Sequence, residues 1–567
     1  MECYFVRHGE DVPGDDGSYA LPSLSRELLA RHGARVLDPA AVPVAEGWPW
    51  PRPAVYRVRT LLVPPRLLRD PYISAINSVL ARVDMHLVAT TTPDQDEFLA
   101  EIPEIAVLTP AAPAGRIPPV VDAWIALTAL RAAAGRTSTE APSETRAEED
   151  TEEVLSAADI SQISLEHLLL GTAITGSPEV DGSPEVDGSP VTASYLSGTG
   201  DSRLPVAVYA DAPPRRPAGD CVARYGRRAV IATLDTGVRA HPWLDVDRAA
   251  SPAHGYTTVP DGFVQVDQSI QDAIYANDLA AVAAGDKLRH LIRYPWDEPV
   301  AADPLAGELN VALGHATYIA GIFRQAVPDV SVLSIRIMHS DDVVYEGDLI
   351  AALKQLALRV AAAQDPADPR PELMIDVLSL SLGYFCESPA DIAYTSGLKS
   401  VIDVLLGRGV VVVAAAGNYA VSRRFYPAAF AAAPLPPGTL PVVSVGALNP
   451  NGTRAIFSDG GAWVTGYATG AVGVSTFPVD VNGSLMPQAE LPDGSATRAA
   501  LDPDDYRGGF ALWTGTSFAA PAMAAWITEA LLEDAATDPS LTLSDPSRAA
   551  AVSRGLNALL RRGWQEA

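Results

Sequence analysis

Cysteine is scarce in this chain. Cys3, Cys221 and Cys386 are the only three in 567 residues. They lie far apart and are odd in number, which excludes a disulfide framework and any cysteine-based metal spacing. Lysine is as scarce: Lys287, Lys354 and Lys399 are all there are, so arginine carries nearly all the positive charge. Acidic residues outnumber basic ones by 69 to 41, a formal net charge of −28. That balance argues against nucleic acid, or an anionic membrane surface, as a partner. No apolar run approaches the roughly 18 residues of a membrane span. Ala280 to Ala284 and Val410 to Ala416 are too short. Met1 to Glu10 show no basic region followed by an apolar core. No secretory leader is therefore expected, and the expected location is the cytoplasm.

What is present fits a folded protein of several domains, with 48% hydrophobic and 19% charged residues. Residues 1–135 read as a small α/β domain. Tyr56 to Val63 and Met85 to Thr90 have strand character. Asp70 is placed to cap a helix carrying Ile73, Ile76, Val79, Leu80 and Val83, and Val120 to Ala134 reads as a second helix. Phe5 to Glu10 resembles the Arg-His-Gly signature of histidine phosphatases around His8, but over six residues only. Neither His32 nor His86 sits in a second-histidine motif, so the match reads as chance. Residues 136–203 read as an acidic linker, Ser/Thr/Pro/Glu-rich at first and then repeating Gly-Ser-Pro-Glu-Val-Asp at 176 and 182. Such sequence buries too little apolar surface to offset chain entropy. Within it, Ile160 to Leu170 reads as a short helix.

From residue 204 strands and helices alternate, the pattern of a parallel sheet covered on both faces. Ala229 to Leu234 is an apolar strand ending at Asp235-Thr-Gly237. A helix opens at Gly314-His315, the strand Val377 to Gly383 follows, and Val410 to Ala416 runs into Gly417-Asn418. Gly515-Thr-Ser-Phe-Ala-Ala-Pro521 leads into a small-residue helix. Stretches 245–310 and 482–509 read as irregular insertions.

These segments bring an acid, a histidine, an amide and a serine to strand and helix ends in one order. A buried Asp235 would orient His315, and His315 would take the Ser517 proton and return it to the leaving amine. Asn418 and the Ser517 backbone N–H would hold the oxyanion. Each residue alone has a plainer reading, as Asx turn, helix-start histidine, turn pair or N-cap. The conjunction carries the argument.

On these motifs, residues 204–535 resemble the subtilisin-like serine peptidases. Asp235-Thr-Gly with His241-Pro242, Gly314-His-Ala-Thr-Tyr-Ile-Ala-Gly321, Ser379-Leu-Ser-Leu-Gly383, Ala414-Ala-Ala-Gly-Asn418, Phe425-Tyr-Pro-Ala428 and the Ser517 motif match that family's landmarks. The resemblance implies a three-layer α/β fold, with a mostly parallel seven-stranded sheet between helices, and endopeptidase activity through an acyl-enzyme. It implies that an extended protein or peptide substrate pairs with Ser381, Leu382 and Gly383. It also makes Ala414, Ala415, Ala416 and Gly417 a wall of the pocket for the residue before the cut, with room for a sizeable apolar side chain. Ala316 and Tyr318 depart from the family's usual glycine and second histidine, and Phe518 from its methionine. They motivate the alternative of a weak or inactive peptide-binding module. No cofactor is required. Structural calcium has candidates in Asp261, Asp267, Asp272 and Asp278, or Asp502, Asp504 and Asp505, but none forms a calcium-loop pattern. The N-terminal domain is compatible with an inhibitory prodomain, yet the missing leader and the acidic junction favour a domain that recognises a partner protein.

Overall fold

A computed structural model describes residues 2–6, 24–90, 97–111, 120–137, 154–172, 203–208, 213–216, 220–249, 255–301, 303, 305–388 and 397–565. His8 and the Gly-Ser-Pro-Glu-Val-Asp repeats lie outside them. The central sheet runs Cys3–Phe5, Gly466–Thr469, Val442–Leu448, Val411–Ala415, Val377–Leu380, Val230–Asp235, Ser331–Arg336 and Val264–Val266. All neighbours pair in parallel except Cys3–Phe5, which lies antiparallel on Gly466–Thr469. Eight strands therefore stand where seven were expected, because the start of the chain supplies an edge. The inner strands are buried along their length, Val411–Ala415 and Val442–Leu448 at every residue. That is why they read as unbroken apolar runs. Helices His315–Ala326 and Thr516–Thr537 pack on each other, and Glu346–Ala363 packs against Gly397–Gly407 and Gln268–Ala284. The stretch 245–310 is thus more than an irregular loop, since it adds a sheet strand and a 17-residue helix. In 482–509, Glu490–Asp493 and Ala496–Ala499 form an exposed hairpin.

The N-terminal unit has its own antiparallel sheet, Ser164–Gly171, Ala54–Val63, Glu104–Pro110 and Met85–Ala89 in order, with Ala34–Leu37 beside Ala54–Val63. Helices Tyr72–Leu80 and Ala123–Thr137 share its core with Leu61, Val63, Leu87 and Leu108. Two expectations change here. Ile160 to Leu170 is a single turn, Ala157–Ile160, followed by the strand Ser164–Gly171. Leu165, Leu168 and Leu169 of that strand are buried. The unit therefore extends through residue 172 and past the expected boundary at 135.

Candidate active site

Strand Val230–Asp235 ends in a turn that fixes the Asp235 carboxylate. The Thr236 N–H donates to Asp235 Oδ1 at 2.7 Å, and Gly237 takes a left-handed φ of +82° where a Cβ would lie 3.0 Å from the Pro295 and Trp296 carbonyl carbons. His315 opens its helix after Gly314, whose N–H donates to Asp297 Oδ2 at 2.7 Å. Burial pushes the Asp297 carboxyl up to about 6. His315 Nδ1 lies 2.8 and 2.9 Å from the two Asp235 oxygens, and both side chains are buried. Donation to the carboxylate puts the proton of a neutral ring on Nδ1 and leaves Nε2 basic. Nε2 has no hydrogen-bond partner. Burial disfavours the imidazolium, but Asp235, with Asp342 and Asp297 behind it, outweighs burial and holds the His315 pKa above its ordinary value. An aromatic cluster that includes two of the departures, Phe518 and Tyr318, surrounds this ring. Trp513 and Phe518 lie 5.6 and 5.5 Å from it, and Tyr318 lies 4.4 Å from Phe518.

Ser517 is the second residue of its helix, where backbone N–H groups lack intrahelical partners. Asn418 follows strand Val411–Ala415. Its Oδ1 accepts from the Thr516 N–H and hydroxyl, both at 2.9 Å, which orients the amide. The freed Nδ2 donates to the Thr172 carbonyl at 2.5 Å, and the Ser517 N–H donates to the same oxygen at 2.9 Å. One backbone carbonyl of the chain thus occupies a two-donor cradle. The Ser517 hydroxyl shares a hydrogen bond with Thr172 Oγ1 at 2.8 Å and lies 3.3 Å from the Ser381 carbonyl. It makes no hydrogen bond to His315 in this arrangement, because Thr172 and Ser381 hold it.

Thr172 arrives there on the strand Ser164–Gly171. That strand pairs antiparallel with Leu382–Gly383 on one side, Gly171 opposite Leu382 and Leu170 opposite Gly383. It pairs with Val343–Tyr345 on the other. The Thr172 N–H donates to the Ser381 carbonyl at 3.1 Å, and Ser381 Oγ donates to the Ser517 carbonyl at 2.9 Å. Midway along the strand, buried His167 stands between Glu346 and Glu387 at 2.7 and 2.8 Å. Burial opposes its charge, but the two carboxylates raise its pKa to about 10.

Ala414, Ala415, Ala416 and Gly417 are buried beside this cleft. The Phe425 ring packs against Gly383 and Gly417, and the Asp459 carboxylate lies closer still to Gly417. A Cβ on Gly383 would lie 2.7 Å from Phe425 Cδ1, and one on Gly417 3.2 Å from the same atom. Asp278, one of the calcium candidates, is buried and paired with Arg289 at 2.5 Å. Among the described residues, no group of three or more His, Cys, Asp or Glu is arranged to hold a metal.

The sequence singled out Asp235, His315, Asn418 and Ser517. It did not single out Thr172, Asp297, Asp342 or Phe425. The Phe425 motif was visible as a landmark, and the other three carried no local signal.

Residues 226–545 match the model of the Subtilase family. Subtilisin DY of Bacillus licheniformis is 27% identical over 32% of this chain and 62% of that protein. A thermophilic serine proteinase of Bacillus sp. (strain AK1) is 30% identical over 30% of this chain and 34% of that protein. Subtilisin BL of Lederbergia lenta is 27% identical over 49% of this chain and 76% of that protein. The chain thus spans less than two thirds of the first two relatives.

Proposed function

The chain belongs to the subtilase family, and on that premise we propose that it is a serine endopeptidase whose own residues 164–172 occupy its cleft. One observation carries this reading: the Thr172 carbonyl receives both the Asn418 amide and the Ser517 N–H. A substrate carbonyl in that cradle has its carbon beside Ser517. For the reaction the Ser517 hydroxyl gives up Thr172 for His315 Nε2, which has no other partner. The imidazole takes the hydroxyl proton as Oγ bonds to the carbonyl carbon, and Asp235 stabilises the imidazolium. Negative charge collects on the carbonyl oxygen between the two donors. The intermediate expels the amine, which takes the proton from His315. Water then repeats the sequence to release the acyl group.

On this reading Thr172 stands where the residue before a cut would stand, self-cleavage would fall after it, and the N-terminal unit is an internal inhibitor more than a recognition domain. A filled cleft would block other substrates until the strand leaves. Incubation of the purified full chain is expected to yield a fragment ending at Thr172 and a partner beginning at Ala173. Ser517→Ala should stay intact, and a fluorophosphonate should label the processed wild type at Ser517. A wild type that is neither cut nor labelled would sink this reading and favour the peptide-binding module.

A further inference from the structure

Beside Gly171, the turn between Ser331–Arg336 and Val343–Tyr345 presents Asp342. Its Oδ1 is buried and has no hydrogen-bond partner. A Cβ added at Gly171 would lie 3.0 Å from Asp342 Cγ, with Oδ1 closer still, and 3.2 Å from Met338 Cε. The backbone is pinned on both sides of this contact. The Gly171 N–H donates to the Asp342 carbonyl at 3.1 Å, and Gly171 is in register with Leu382 on the other edge. Asp342 is fixed by its own N–H to the His339 carbonyl at 3.0 Å, and the His339 N–H donates to the Val343 carbonyl at 2.8 Å. Its φ of +72° is left-handed, which aspartate tolerates better than most residues.

We propose that Asp342 is a specificity-determining residue, which admits glycine at the substrate position immediately before the residue cut and rejects residues bearing a side chain. The substrates are then extended apolar segments with glycine just before the residue cut, as in Leu169-Leu-Gly-Thr172. The inference rests on the reading of Ser164–Thr172 as a strand bound as substrate. The selection is steric. Burial pushes the Asp342 carboxyl up to about 7, with His315 pulling the other way, so near neutral pH it is charged in only part of the molecules. Its volume is the same in either state.

Self-cleavage of the full chain tests this. Gly171→Ala should be cut roughly ten- to a hundredfold more slowly than wild type, the usual consequence of overpacking. Adding Asp342→Gly, which suits the left-handed φ, should restore the rate. Asp342→Asn, of equal size and uncharged, should leave Gly171→Ala slow. Thermal melts of each variant in a Ser517→Ala background separate misfolding from selection, because rescue by Asp342→Gly cannot come from a globally unfolded chain. Gly171→Ala or Gly171→Arg cut as fast as wild type overturns the subsite while leaving the peptidase reading intact. Failure of Asp342→Gly to rescue overturns it too. A wild type that neither cuts itself nor labels brings down the peptidase reading and this inference with it.

Discussion

In the proposed mechanism His315 needs Nε2 unprotonated, and the carboxylates around it favour the proton. The acid limb of kcat/KM is therefore expected above the ordinary histidine value of about 6.5. Asp342→Asn removes one of the anions that raise this pKa. The imidazolium then loses its proton more easily, and the limb should move to lower pH. A limb that stays in place would show that Asp342 does not bias the base. Asn418→Ala removes one of two donors to the developing oxyanion and should lower kcat by about 10²- to 10³-fold. Phe425→Ala should open the pocket to larger residues before the cut, read from a peptide-library profile. Loss of that buried ring would also cost about 3–5 kcal/mol. At this scale the sequence was most legible where a motif holds several constraints at once. Ser517 is framed by a turn and a small-residue helix, and Asp235 by a strand end and a glycine. Asp342 becomes meaningful only when a strand over 170 residues earlier in the chain is laid beside it.

Among the elements, the strand Ser164–Gly171 was the one the sequence misassigned. Its apolar run, Leu165 and Leu168 to Leu170, is short enough to suit either a buried strand or a helix turn. Both of its edges are filled by strands distant in sequence, and periodicity carries no record of such partners. The pairing also places His167 among carboxylates, with a sign that can be checked. Its folded pKa, about 10, exceeds the ordinary 6.5. Its stabilisation is full below 6.5 and is lost as pH rises towards 10. Burial opposes the charge of Glu387, but His167 holds its pKa down to about 2 from 4.5, so its contribution is lost as pH falls from 4.5 towards 2. In a Ser517→Ala chain, where no cut intervenes, the thermal midpoint should fall between pH 6.5 and 10. His167→Gln should flatten that alkaline slope. An unchanged slope in His167→Gln would place the titration elsewhere.

Across the whole molecule, the two units are joined by more than the cleft strand. Arg57 of the N-terminal sheet pairs with Asp286 at 2.9 Å, and Glu166 pairs with Arg289 at 3.0 Å, all four buried. Cys3–Phe5 is a strand of the peptidase sheet itself. The alternation of strands and helices after residue 204 announced the parallel sheet. Nothing local announced that three residues at the opposite end of the chain would complete its edge. Removing one partner of a buried pair leaves a charge uncompensated, at a cost of about 3–5 kcal/mol. Arg57→Met should therefore loosen the N-terminal unit far more than Arg31→Met, whose side chain is half exposed. Limited proteolysis of the two variants would rank them.

The strand Cys3–Phe5 also bears on how long a cut molecule stays silent. An inhibitor that simply sits in a cleft obeys mass action, and dilution sets its enzyme free. A fragment threaded into the enzyme's own sheet must first peel that edge open, a step whose rate does not depend on concentration. Activity after cleavage is then expected to appear with a lag that is the same at every dilution, and to shorten when residues 2–6 are deleted. The start of the chain would serve as a timer, with the opening of one short strand as its tick.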